Sequence, residues 1–104
     1  MSDCVFCQMI RAQIPTSRIY EDDQVLVFKD IHPKAPVHLL IISKEHIPSL
    51  VEVRDDQQAL LGHMLGLMPT LAAAQGLKGF KTQINTGPEG GQEIDHLHFH
   101  LLGG

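Results

Sequence analysis

The chain has 104 residues, 43% hydrophobic and 19% charged, the composition of a single domain with one core; disorder and collagen-like repeats are out. Its net charge is −4, with eight Lys and Arg scattered singly, which argues against a nucleic-acid-binding face and against charge-driven membrane attachment. Histidine is the oddity: seven, beside one Tyr, no Trp and two Cys. That balance points to a small ligand, a metal or acid–base chemistry. Met1-Ser2-Asp3-Cys4 lacks the features of a secretory signal, and the apolar stretch Ala59 to Ala74 is interrupted by His63, Pro69 and Thr70. The expected compartment is therefore the cytoplasm, with no bilayer span.

In chain order, Asp3 is placed to cap a short helix whose apolar residues are Val5, Phe6, Met9 and Ile10. Ser17 to Glu21 and Gln24 to Lys29 read as a hairpin about an Asp22-Asp23 turn. Prolines 33 and 36 make the next segment a loop, and Val37 to Ser43 reads as a central strand. Asp55 or Asp56 can cap a longer helix to about Gln75, striped by Leu60, Leu61, Met64, Leu65, Met68, Leu71 and Ala72, kinked by Pro69 and ended by Gly76. Phe80 to Asn85 is a strand, Thr86 to Gly91 a glycine-rich loop, and Asp95 to Leu102 a last strand. This order gives one α+β domain over residues 1–104, a mainly antiparallel sheet of about five strands with two helices.

The strongest chemical signal is His96-Leu97-His98-Phe99-His100-Leu101-Leu102. In a strand, alternate side chains share a face, so three imidazoles line one side and Leu97, Phe99 and Leu101 the other. That array suits either nucleophilic chemistry or a three-histidine metal site. Cys4-x-x-Cys7 is equally open: a redox pair, half of a zinc site, or two helix residues.

His-x-His-x-His followed by two apolar residues resembles the signature of the histidine triad (HIT) family of nucleotide-binding hydrolases and transferases. Ile14-Pro15, Tyr20-Glu21-Asp22-Asp23, Phe28-x-Asp30-Ile31, Ala35-Pro36-x-His38, Asn85-x-Gly87 and Gly90-Gly91-Gln92 occur in the family's order. Leu102-Gly103-Gly104 looks like its purine nucleoside phosphoramidase branch. The resemblance implies that His98 is a nucleophile toward the α-phosphorus, with His100 and His38 on the phosphate oxygens or in proton transfer. It implies that Asp30 holds the ribose, that Phe28 and Ile31 form the base slot, and that Asn85, Gly91, Gln92 and Glu93 meet the phosphate. Many relatives carry Ser where this chain has Glu93, a group that can act as an acid if its pKa is raised, or can repel acidic leaving groups.

The same resemblance implies structural zinc on Cys4, Cys7, His46 and His96, which leaves His98 and His100 for phosphate. It also implies a homodimer, with Gly62-x-x-x-Gly66 allowing close helix approach, and AMP or an AMP derivative as ligand. No role follows for His32 or His63. The rivals are a dinucleoside polyphosphate hydrolase of the same fold, a nucleotide-binding adaptor with incidental turnover, and a plain three-histidine metal module.

Overall fold

Two central strands carry apolar side chains on both faces, and the fold covers the two faces unequally. The computed structural model describes residues 4–104; the expected Asp3 cap lies outside them. The elements are α1 (Val5–Ile10), β1 (Arg18–Glu21), β2 (Val25–Lys29), β3 (Val37–Ser43), α2 (Gln58–Gly66), α3 (Met68–Ala74), β4 (Lys81–Gln83) and β5 (His98–Gly103), with short 3₁₀ turns between some of them. The strands form one antiparallel sheet in the order β1-β2-β3-β5-β4, as the α+β reading expects.

Val25 and Val27 of β2, Leu39 and Ile41 of β3, and Phe99 and Leu101 of β5 share one face. Leu60, Met64, Met68, Leu71 and Ala72 of α2 and α3 close the main core against them. Each such side chain contributes roughly 1.5–3 kcal/mol by leaving water. Leu26, Phe28, Leu40 and Ile42 face the other way and meet Phe6 of α1. Six residues of helix span only about 9 Å, too little to cover that face. The remainder stays open, and it is where β5 places His98 and His100.

Several boundaries differ from the sequence expectation. The second expected helix is broken: α2 ends at Gly66, α3 starts at Met68, and Leu67 joins them. Pro69 has no N–H to offer the Leu65 carbonyl and its ring crowds that group, so the break falls two residues before the proline. Neither Asp55 nor Asp56 caps the helix; both sit in a 3₁₀ turn entered from Arg54, whose N–H donates to Gln57 Oε1 at 2.8 Å. At the far end Gly76 (φ +77°) does terminate the path, with bonds from Gly76 N to Ala73 O and from Leu77 N to Ala72 O closing a Schellman motif.

The last strand begins at His98 rather than Asp95. Residues 94–96 bend, with His96 N–H bonded to the Ile94 carbonyl and Leu97 N–H to the Ile47 carbonyl. His96 therefore leaves the ladder, and the strand face carries two histidines instead of three. β4 is likewise confined to Lys81–Gln83.

Candidate functional site

Register decides which side chains meet on the open face. Across β3 and β5, Ile42 pairs with His98, Leu40 with His100 and His38 with Leu102; across β4 and β5, Gln83 pairs with His100 and Lys81 with Leu102. Paired residues in an antiparallel sheet project to the same side. His38, Lys81 and Gln83 thereby join His98 and His100.

Each histidine has a hydrogen bond that assigns its tautomer. His98 is buried, and its Nδ1 lies 2.6 Å from the His96 carbonyl oxygen. A carbonyl only accepts, so Nδ1 carries the proton and Nε2 keeps a lone pair. His38 Nδ1 accepts the Lys34 backbone N–H at 3.1 Å, which puts its proton on Nε2. That N–H donates to His100 Nδ1 at 2.8 Å and stands 3.4 Å from Asp30 Oδ2. His100 is then left with an Nε2–H donor. Burial, helped by the neighbouring His98, His38 and Lys34 and opposed by Asp30, lowers His100 to about 4. Burial also lowers His38, against the pull of Asp30. Both rings are neutral at pH 7. The array thus presents one bare nitrogen beside one N–H donor, which suits attack on an electrophile whose oxygens need hydrogen bonds.

His96 belongs to a second cluster. Its Nε2 donates to the Ser43 carbonyl at 2.6 Å, leaving Nδ1 as a ligand atom. Cys4 Sγ is 3.2 Å from that nitrogen, Cys7 Sγ 3.7 Å and His46 Nδ1 3.1 Å, while Cys7 Sγ is 3.3 Å from His46 Nδ1. The four ligand atoms lie within 4.8 Å of one another. Bond lengths of about 2.3 Å to sulfur and 2.0–2.1 Å to nitrogen imply S–N edges near 3.5 Å in a tetrahedron. Burial lowers His96 to about 4, so the ring is neutral, as a ligand must be. The donor set fits a structural zinc ion. Asp30, His38 and His100 also lie close enough to hold a metal, but the Lys34 N–H occupies His38 Nδ1 and forces a proton onto the nitrogen a metal would need. Within that trio the His38 N–H bonds to His100, and Asp30 stands alongside as a charge. The three-histidine metal module is overturned: His96 points its ligand atom at the cysteines, away from His98 and His100.

The open face forms two adjoining chambers that share Lys34, Glu93, His98 and His100. One, of about 280 Å³, is walled mainly by apolar groups, including Phe6, Phe28, Ile31 and Leu40, with Asp30 at its edge. The other, of about 260 Å³, is polar, with His38, Lys81, Gln83, Asn85 and Gly91. The expected residues Phe28, Asp30, Ile31, Asn85, Gly91 and Glu93 are thus all at the site. Gln92 is the exception. Its Oε1 accepts the Gly87 N–H at 2.8 Å, and its Nε2 donates to the carbonyls of Pro48 and Ile94 at 2.7 and 2.9 Å. That amide pins the loop and lines neither chamber.

The family model described as "Scavenger mRNA decapping enzyme C-term binding" matches residues 3–104. An uncharacterized HIT-like protein of Synechococcus elongatus is 52% identical over 103 residues, covering 98% of this chain and 90% of its own. The chain belongs to the histidine triad (HIT) family. A crystal structure of a HIT family hydrolase from Legionella pneumophila superposes on this HIT protein with a TM-score of 0.95 at 44% identity, covering 98% of this chain and 93% of the other. The histidine triad nucleotide-binding protein of Candida albicans does so with a TM-score of 0.86 at 33% identity, covering 95% and 73%.

Phe6, Lys34, Lys81 and Gln83 are among the residues at the HIT site that the sequence does not single out, and His32, for which no role is expected, also lines the apolar chamber. Phe6, whose ring stands edge-on to His98 with centroids 5.2 Å apart, is legible there only as part of an apolar stripe. Lys34, Lys81 and Gln83 lie in a loop and an edge strand; the period-two alternation of Lys81 and Gln83 is the available signal, and it needs the register with β5 to be read. His63 lies outside the site. Its Nε2 is 2.6 Å from Asp22 Oδ2, which also accepts the Tyr20 hydroxyl at 2.8 Å, so α2 is tied to the β1–β2 turn. Partial burial pushes the Asp22 carboxyl up, but bonds from Gln24, Tyr20, His63 and Val25 outweigh it and hold the group at about 2.

Proposed function

We propose that this HIT protein hydrolyses nucleoside 5′-phosphoramidates, with AMP as the nucleotide half, through a covalent nucleotidyl–His98 intermediate. The observation that carries the reading is the tautomer of His98: its Nδ1 is committed to the His96 carbonyl, so the nucleophilic lone pair on Nε2 exists without a separate base. The hydrolase and nucleotide-binding relatives named above support the class of reaction. The apolar chamber suits a base between Phe28 and Ile31, and Asp30 suits the ribose hydroxyls.

In the proposed reaction the His98 Nε2–P bond forms as the P–N bond breaks, and the amine leaves with a proton drawn from water. His100 Nε2–H hydrogen-bonds the phosphoryl oxygens as charge builds, held in aim by the His38 N–H. Water then cleaves the His98–P bond, releases AMP and restores the bare nitrogen. Cys4, Cys7, His46 and His96 hold zinc, which supplies structural cross-linking of α1 to the bend before β5. The cytoplasm, where thiols stay reduced, is the proposed compartment. A homodimer is proposed through α2, where Gly62 and Gly66 are exposed with open space at their Cβ positions and Leu65 between them is 46% exposed.

The test is His98→Ala on an adenosine phosphoramidate, with rapid quench of labelled substrate on the wild type. Turnover should fall by several orders of magnitude while AMP still binds. The trapped label should be stable in base and labile in acid, as phosphorus–imidazole bonds are. Substantial turnover by the variant, or label on another residue, refutes the assignment.

A further inference from the structure

We infer that the polar chamber selects leaving groups that carry an acidic function, with Lys34 and Lys81 as the recognising cations; this deepens the phosphoramidase reading and rests on it. The two chambers meet at the histidines. If the apolar one takes the nucleoside, whatever is bonded beyond the phosphorus extends into the polar one. At about 260 Å³ that space is nearly as large as the nucleoside's, about 280 Å³, so it is built for more than ammonia.

Charge gives the class. His38 and His100 are neutral at pH 7, so the fixed charges around the chamber are Lys34, Lys81 and Glu93. The chain has twelve acids against eight bases, and Arg18, Lys44 and Arg54 are paired with carboxylates at 2.9, 2.6 and 3.1 Å. Among the described residues, Lys34 and Lys81 have no such partner; Arg11, Lys29 and Lys78 are likewise without one but line neither chamber. In an acidic protein, two unmatched ammoniums facing one cavity are a selective feature.

Both lysines are also anchored at their roots. The Lys34 N–H is bonded to His38 Nδ1, and its charge reaches far enough to lower both His38 and His100. Lys81 is fixed by pairing with Leu102, two residues along the strand from His100. Two negative charges oppose the pair: Glu93 on the chamber wall, and Asp30, which lines the apolar chamber 3.4 Å from His38 Nε2 and is felt at both histidines.

The experiment compares two adenosine 5′-phosphoramidates of equal chain length, one with an N-alkyl amine and one ending in a carboxylate. In parallel, calorimetry measures the affinities of the matching alkyl and carboxyalkyl phosphate esters of AMP. The wild type should favour the acidic member about 1.5-fold to fivefold in kcat/KM and in Kd at low salt, the range for solvent-accessible ion pairs, and less so at high salt. Lys81→Met should bring the ratio to about one, Lys81→Arg should retain it, Lys34→Met should lower it, and Glu93→Gln should raise it. A wild-type ratio of one or below, or a ratio unmoved by Lys81→Met, overturns the inference. If neither phosphoramidate turns over yet the acidic ester binds better, the P–N reading fails and the chamber's selectivity stands. Equal turnover of both phosphoramidates, with no preference in either arm, leaves the P–N reading standing and overturns the selectivity.

Discussion

Asp30→Asn isolates the charge proposed to hold the ribose. The Asp30 side chain is 18% exposed, its Oδ1 accepts the His32 N–H at 2.8 Å, and its Oδ2 stands 3.4 Å from His38 Nε2. Asparagine keeps the volume and an oxygen for His32 while removing the negative charge. Hydrogen bonds to a charged group are worth about 1.5–3 kcal/mol. One oxygen already serves His32 and water reaches the group, so the expected loss is at the lower end, about 1.5–2 kcal/mol, or roughly tenfold to thirtyfold in AMP affinity. Loss of the charge lowers His38 further, so the histidines stay neutral at pH 7 and do not confuse the result. Calorimetric titration of both proteins with AMP and with its 2′,3′-dideoxy analogue completes the cycle. The dideoxy analogue should bind wild type roughly tenfold to thirtyfold more weakly than AMP and the variant scarcely more weakly, giving a coupling of at least about 1 kcal/mol. Equal losses in the two proteins would refute the ribose contact.

Two further outcomes follow from the buried groups. Protein kept reduced and away from chelators should hold about one zinc per chain by elemental analysis, and replacing Cys4 and Cys7 by Ser should remove the metal and lower the melting temperature. His100 links stability to pH: the unfolded ring protonates near 6.5 and the folded one only near about 4, so its contribution is full above pH 6.5 and is lost as pH falls toward 4. In that window His100→Asn should flatten the fall in urea-derived stability by up to about 1.4 kcal/mol per pH unit; parallel curves would count against it.

The sheet was legible because Val37 to Ser43 is apolar but for His38 and Ser43, and Asp22 has the chemistry of a turn. Asp22 Oδ1 takes the N–H groups of Gln24 and Val25 at 2.8 and 2.9 Å, a local device a sequence can announce. The start of β5 was not legible, because the bend at His96 depends on the Ile47 carbonyl, about fifty residues away in sequence. The same limit applies to the site. Asp30 and Asn85 stood in recognisable motifs, whereas Lys34 and Lys81 reach it only through the fold. Gln92 sat in a motif and still proved to be a loop tie, since an amide's partners are set by which carbonyls the tertiary structure brings near it.

His96 works in two directions at once: its ring turns toward the thiols, and its main-chain oxygen holds the next histidine, His98. Amino-acid exchange alters the first of these functions directly, while the second belongs to the peptide and survives any side chain that leaves the bend intact. Ligation chemistry and nucleophile aim are therefore separable at a single position. An engineer wanting this scaffold without the proposed metal site should look for a replacement that fills the buried space and bonds the Ser43 carbonyl, because the peptide carbonyl will continue to orient His98 for as long as the chain makes the same turn.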